Sequence, residues 1–281
     1  MMIEVTDLNF AYGKQANLFR SLNLRLSGGN VYGLLGKNGA GKTTLLKIMT
    51  GLLFPQSGRV NVLDCQPHLR QPQFLQEIYL IPEEFYLPQV SVREYEAGYA
   101  PFYPRFDHRL FEQFLTEFEI PQRDRLSSLS FGQKKKFLIA FGLATNCKIL
   151  FLDEPTNGLD IPTKSQFRKI LASSISDERT ILISTHQVRD MANLIDPIII
   201  LDEGQIIFQN DLAETARRLV MKIYQDENDL GESLFSEKTI GGYVALEENK
   251  TGTDSKIDIE LLFNAVINNR ERIARLFDKE V

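Results

Sequence analysis

The residues best suited to chemistry begin at Gly36-Lys37-Asn38-Gly39-Ala40-Gly41-Lys42-Thr43, which fit the spacing G-x-x-x-x-G-K-[ST] in full. Glycines at these positions let successive main-chain N–H groups turn inward on phosphate oxygens. An apolar run, Val31 to Leu35, leads in, and a helical stretch, Thr44 to Thr50, leads out. The loop is therefore expected to end on the positive end of a helix dipole. Gly36 to Gly41, with Lys42, Thr43 and Thr44, are the expected polyphosphate cradle. Lys42 is expected to reach the outer phosphates, and the Thr43 hydroxyl to ligate a magnesium ion. This loop alone defines a nucleotide, not a function.

A second apolar run, Lys148 to Leu152, ends in Asp153-Glu154-Pro155. A carboxylate at the carboxyl edge of a strand beside such a loop can hold the metal through water. The next carboxylate can orient and deprotonate an attacking water. Asp153 is assigned to the metal and Glu154 to the general base; taken alone, the pair is equally an acidic strand-to-turn transition. Upstream lies Leu129-Ser130-Phe131-Gly132-Gln133, at the start of a helically periodic segment. Ser130 is either a plain helix cap or part of an anion site built on free N–H groups.

In this order and spacing the segments resemble the ATP-binding-cassette (ABC) ATPases, over roughly residues 2 to 212. Leu-Ser-x-Gly-Gln is similar to the family signature. Thr156-Asn157-Gly158-Leu159-Asp160 resembles the D-loop, Ser184-Thr185-His186 the switch histidine, and Tyr12 the aromatic that stacks on adenine. The resemblance implies an α/β fold: a P-loop (RecA-like) core with an antiparallel β-subdomain and an inserted α-helical subdomain. It implies ATP and Mg²⁺ as cofactors, with Glu154, His186 and Lys42 catalytic. Ser130, Phe131, Gly132 and Gln133 would act on the ATP of the opposite subunit, and Asp160 would serve the D-loop. The dimer is then head to tail and isologous, with two composite sites. It would be a homodimer or a pairing with a second ABC ATPase.

Two positions depart from the family pattern. Phe131 stands where glycine is common; its side chain can point away while Gly132 admits the phosphate. Glu83, in Leu80-Ile81-Pro82-Glu83-Glu84, stands where glutamine is common. A carboxylate can still ligate Mg²⁺ with a hard oxygen, but it adds negative charge beside the γ-phosphate. The Pro-Glu-Glu loop resembles that of the ABC-2 export class, as do Tyr103-Pro104 with Phe106-Asp107 and the tail segment Ile257 to Phe263. The resemblance implies an ATPase subunit that powers a separate polytopic membrane permease, peripheral on the cytoplasmic face of the cell membrane. The alternative is a soluble single-cassette ATPase driving protein assembly.

These residues need strands and helices to hold them. Ile3 to Phe10, Leu22 to Leu26, Thr180 to Ser184 and Ile198 to Leu201 read as further strands, and Gly204 to Phe208 as a closing hairpin. Between Val92 and Asn146 helical periodicity takes over and aromatics crowd in. Phe85, Tyr86, Tyr95 and Tyr99 are candidates to line a groove for a permease helix, or to be the subdomain's own core. The expected organisation is an ATPase domain over 1–215, with the helical subdomain at about 88–146, and a small C-terminal α+β accessory extension over 216–281. In that extension one helix is expected from Asp258 to Phe277, with Ile259, Leu262, Phe263, Val266, Ile267 and Ile273 on one face.

A net charge of -5 argues against a nucleic-acid partner, which calls for a basic patch. No run of eighteen apolar residues suggests a membrane span, and the opening Met-Met-Ile-Glu-Val-Thr-Asp does not resemble a signal peptide. Cys65 and Cys147 fit no metal spacing and read as core thiols.

Overall fold

Each all-buried strand of the central sheet feeds two cores at once. The computed structural model describes residues 1–13, 16–121, 124–253 and 255–277. The chain opens with β1 (Ile3–Phe10), β2 (Phe19–Leu26) and β3 (Val31–Leu35), then α1 (Lys42–Met49) and β4 (Ser57–Val62). A short α2 (Pro72–Leu75) precedes β5 (Ile78–Ile81). The helical region follows as α3 (Val92–Tyr99), α4 (His108–Glu117) and α5 (Phe131–Ala144). The chain returns through β6 (Ile149–Asp153), α6 (Ile161–Ser173), β7 (Thr180–Thr185), α7 (Val188–Met191), β8 (Ile198–Asp202) and β9 (Gln205–Asn210). The last part holds α8 (Leu212–Arg218), β10 (Leu219–Tyr224), β11 (Phe235–Thr239), β12 (Gly242–Glu248), α9 (Ile259–Asn268) and α10 (Arg270–Phe277).

The main sheet has the order β5-β6-β7-β3-β8-β9, parallel except for the β8–β9 pair. In β3, Val31 and Leu35 pack into one core while Tyr32 and Leu34 pack into the other. In β6, Leu150 and Leu152 face the first core and Ile149 and Phe151 the second. Strands buried on both faces are what a parallel sheet covered on both sides requires. The first core continues into the helical region and the C-terminal part. The second is shared with α1 and a separate antiparallel sheet, β2-β1-β4.

The helical region starts from strong local signals. Ser91 and Glu94 form a capping box on α3, and Asp107 caps α4 by accepting from Leu110 N at 3.0 Å. Its aromatics are mostly core: Tyr95, Phe111, Phe114 and Phe118 are buried. Tyr95 stacks on Tyr99 and meets Phe137 and Phe141 edge-on, so it is removed from any docking groove. Tyr86, Tyr99 and Phe102 remain exposed.

The sequence left β4 and β5 unassigned, and β2 begins three residues before its expected start. The helix expected over Asp258 to Phe277 is two helices. The chain breaks at Asn269 (φ −134°, ψ 44°), whose side chain donates to Leu234 O at 2.7 Å. A side-chain bond to the distant segment just before β11 outweighs one more helical turn at an asparagine, a weak helix former. The expected apolar face survives the break: Ile259, Leu262, Val266 and Ile273 are all buried.

Candidate functional site

Four neighbouring parallel strands deliver a functional group at their carboxyl ends. β3 runs into the glycine loop, β6 into Asp153 and Glu154, β7 into His186, and β5 into the turn bearing Glu83. The carboxyl ends of such a sheet are where ligands bind in open α/β folds.

The glycine loop is held tightly from behind. A Cβ on Gly36 would lie 2.5 Å from Leu201 O. Gly41 has φ +105°, and a Cβ there would lie 2.7 Å from Phe19 Cε1. Neither place admits another residue. Lys42 is buried, and its Nζ donates to Gly36 O at 2.8 Å and Lys37 O at 3.3 Å. The same Nζ is 3.5 Å from Glu154 Oε1.

The two carboxylates of β6 are held differently. Asp153 Oδ2 accepts from Thr43 Oγ1 at 2.7 Å, and its other oxygen accepts from the buried Ser184 hydroxyl on the adjacent strand. Glu154 turns into the left-handed region, φ +45°, with its N–H on Ser184 O. Its Oε1 accepts from His186 N at 3.0 Å and lies 2.8 Å from His186 Nδ1. The carboxylate thus faces both Lys42 and His186.

These groups border an open cavity of about 740 Å³. Its walls include Tyr12, Asn38, Gly39, Ala40, Gly41, Lys42, Thr43, Thr44, Glu83, Glu154, Asn157 and His186. Gly36, Lys37 and Asp153 lie outside the lining. Tyr12 is half-exposed at the rim, with its hydroxyl 2.9 Å from Thr44 Oγ1. Glu83 Oε1 accepts from Asn157 Nδ2 at 2.7 Å, and Gln187 Nε2 donates to Asn157 Oδ1 at 3.0 Å.

Thr43 in the cavity wall and Asp153 buried behind it present hard oxygens 2.7 Å apart. That donor set suits Mg²⁺, which takes few protein ligands and keeps waters and phosphates for the rest. Among the described residues no group of three or more His, Cys, Asp or Glu side chains could hold a metal unaided.

Ser130 does cap α5. Its Oγ accepts from Gln133 N at 3.2 Å, and Gln133 Oε1 accepts from Ser130 N at 2.9 Å. Helical geometry still leaves the N–H groups of Phe131 and Gly132 without an intrahelical acceptor. The Phe131 ring stacks on Phe85, centroids 5.3 Å apart, and covers Gly158. Gly132 meets open space, its nearest neighbour being Leu159 at 3.9 Å from an added Cβ. Asp160 caps α6 through Thr163 N at 2.9 Å, and its bonds to Thr163 hold its pKa below the usual range.

Sequence reasoning missed Ser184, Asn157, Gln187 and Lys135 as parts of this site. Lys135 is fully buried, and burial pushes its pKa down to about 8 against the upward pull of Glu83, Glu154 and Asp153. Its register on one helix face with Leu138, Ile139 and Gly142, all buried, turns it inward but does not indicate what it meets.

Fold and cavity together define a P-loop nucleotide-binding protein. Residues 19–157 match the family model described as ABC transporter. The chain is 31% identical over 212 residues to the lantibiotic transport ATP-binding protein SrtF of Streptococcus pyogenes, covering 75% of this chain and 91% of that one. It is 31% identical over 212 residues to the bacitracin transport ATP-binding protein BcrA of Bacillus licheniformis, covering 73% and 68%. With the ABC transporter ATP-binding protein YtrB of Bacillus subtilis it shares 29% over 217 residues, covering 76% and 73%. Among solved structures, an ATP-binding subunit of an ABC transporter superposes with TM-score 0.70 at 24% identity, over 77% of this chain and 92% of that chain. Clostridium perfringens cbiO1, part of the ABC transporter complex cbiONQ, gives 0.61 at 27%, over 75% and 88%. The chain belongs to the ABC transporter family and is an ATP-binding, ATP-hydrolysing subunit of an ABC transporter.

Proposed function

We propose that this subunit drives export through a separate membrane permease, by closing head to tail on a second cassette around two ATP molecules. One observation carries the dimer. The cavity that Lys42 borders takes no wall from Ser130, Phe131, Gly132 or Gln133 of the same chain, although those residues offer a second helix N-terminus suited to phosphate. A site complete only across an interface accounts for both. In this reading Tyr12 stacks on the base, and Gly36 to Thr44 cradle the phosphates. Ser130 to Gln133 act on the partner's nucleotide, with Asp160 beside the interface.

Within one chain the chemistry follows from the contacts. Lys42 exchanges carbonyls and the Glu154 carboxylate for phosphate oxygens. Glu154 then orients and deprotonates the attacking water. His186 Nδ1 lies 2.8 Å from Glu154 Oε1, which leaves Nε2 as the ring nitrogen free to meet the γ-phosphate. Thr43 and Asp153, with Glu83, would hold Mg²⁺, which neutralises charge on the phosphates.

Export rests on relatives whose names concern Nod factor export, bacitracin and lantibiotic transport, and on the Pro82-Glu83-Glu84 loop. No helix among the described residues is long and apolar enough to cross a membrane. A permease would therefore hold the subunit to the cytoplasmic face. Exposed Tyr86, Tyr99 and Phe102 would meet it, and no nucleic acid is expected as partner. We assign residues 1–215 to the ATPase domain, with its helical subdomain at about 88–146, and 216–281 to an accessory extension. The extension packs on the core through α9 against α7, Arg189 with Glu260, and Phe277 edge-on to Phe208.

A mixed dimer tests the composite site. Lys42→Ala and Ser130→Arg are each expected to be inactive as pure dimers. Co-expressed with different tags, they form one doubly damaged site and one intact site, so ATPase activity should return. Activity in a control dimer of wild type with Lys42→Ala, and none in the mixture, would refute the sandwich.

A further inference from the structure

The segment Lys134-Lys135-Lys136 puts three ammonium groups in the signature helix, and only the middle one is buried. Lys135 is 0% exposed. Burying an ammonium is costly unless its donors are satisfied. Here the acceptors are main-chain carbonyls: Nζ donates to Glu154 O at 2.5 Å and to Asn157 O at 3.1 Å. The Phe131 ring lies 5.8 Å from the same nitrogen. The two carbonyls bracket the turn that follows β6. Glu154 adopts φ +45° there, a conformation that disfavours a side chain of its size. The turn is closed by Asn157 N donating to Glu154 O at 3.2 Å. Because the Glu154 carboxylate hangs from this turn, its direction depends on the turn's geometry.

We propose that Lys135 is a positioning residue for ATP hydrolysis: reaching across from the helical subdomain, it clamps the Glu154 and Asn157 carbonyls and so aims the Glu154 carboxylate. The inference rests on Glu154 as the base. It adds a mechanical link, because a shift of α5 relative to β6 pulls on the turn that carries the base.

The test uses the full chain with Lys135→Met, which keeps length and loses the donors, and Lys135→Gln, whose shorter amide reaches at most one carbonyl. Thermal unfolding establishes that each is folded, and Lys135→Gln carries the comparison if Lys135→Met is not. A reactive group misplaced by about 1 Å loses on the order of 10²-fold in rate, so kcat should fall about tenfold to hundredfold in Lys135→Met. Lys135→Gln should fall less, by at least about threefold. The dissociation constant for a fluorescent ATP analogue should stay within about twofold, since a group acting through the base leaves ground-state binding alone. The decisive readout is single-turnover hydrolysis by the double variant Lys135→Met/Glu154→Gln. With no base left to aim, it should be no slower than Glu154→Gln alone. Unchanged kcat in the folded variants, ATP affinity falling in step with kcat, or a full second loss in the double variant would each overturn the clamp. Normal turnover in Glu154→Gln alone would instead overturn the assignment of the base.

Discussion

Changing Glu154 to Gln should separate binding from turnover, and the geometry sets the sizes. The substitution keeps shape and removes one buried charge, whose Oε1 lies 3.5 Å from Lys42 Nζ. Opposite charges about 4 Å apart attract by about 4 kcal/mol at an effective dielectric near 20. An incoming γ-phosphate must compete with that attraction for Lys42 and also bear the repulsion of the carboxylate. Most of the lost attraction is replaced when phosphate pairs with Lys42. If about a third remains as net gain, ATP binds about 1.4 kcal/mol more tightly, or about tenfold. Loss of the base should lower kcat by about 10² to 10⁴-fold. Phosphate release measures the second effect, and titration of a fluorescent ATP analogue the first. Thermal unfolding gives an independent check. Tenfold tighter binding adds about 1.4 kcal/mol of stabilisation at a fixed, saturating ligand concentration. Unfolding entropy for a chain of this length is roughly 0.6 kcal/mol/K, so the midpoint with ATP should rise about 2 °C further than in wild type. Size-exclusion chromatography with Mg-ATP should show the variant accumulating as a dimer. Near-normal turnover would remove Glu154 from the role of base. Weaker ATP binding would refute the electrostatic competition at Lys42.

Glu83→Gln should leave basal hydrolysis unchanged or faster, because the amide oxygen can still accept from Asn157 while the charge near the γ-phosphate is gone; a fall in rate with a higher Mg²⁺ requirement, read across a magnesium titration, would make the carboxylate a needed metal ligand. Leu262→Ala should cost about 2 to 5 kcal/mol, since Leu262 is fully buried in the core that joins the extension to the sheet. In a thermal melt that is one transition lowered by roughly 3 to 8 °C, whereas an unchanged main transition would mean that the extension melts apart from the ATPase domain. Burial pushes Tyr95 up to about 12, and raises Tyr79 and Tyr103 as well. Such groups hold their protons in the folded state, so their contribution is complete below the ordinary tyrosine pKa near 10 and is lost as pH rises through the folded values. Absorbance near 295 nm should therefore show a late, unfolding-linked class of tyrosines, and titration of all tyrosines together near pH 10 would contradict their burial.

The glycine loop after β3, the carboxylates after β6, Ser130 at the head of α5 and His186 after β7 were legible as candidates because each belongs to a local pattern. A run of small residues between an apolar strand and a helix fixes main-chain geometry whatever lies beyond it. Gly36 and Gly41 illustrate both the reach and the limit of such reading. Their spacing announces the loop, yet the carbonyl of Leu201 and the ring of Phe19, which exclude any side chain there, come from distant segments. The cap at Ser130 was likewise local, since a cap bonds within three residues of itself.

By itself the sequence determined the class of chemistry, the order of the motifs and the family. Tertiary structure alone decided which partners complete them. Ser184 meets Asp153 only because β6 and β7 lie side by side in register. Asn269 breaks the last helix because Leu234 offers a carbonyl beside it. Lys135 reads as one charge in a run of three, and its meaning changes only when α5 packs over the turn at Glu154. The physical reason is common to all three. A hydrogen bond between residues far apart in sequence leaves no periodicity or spacing behind, and a buried charge is defined by what surrounds it rather than by its neighbours along the chain.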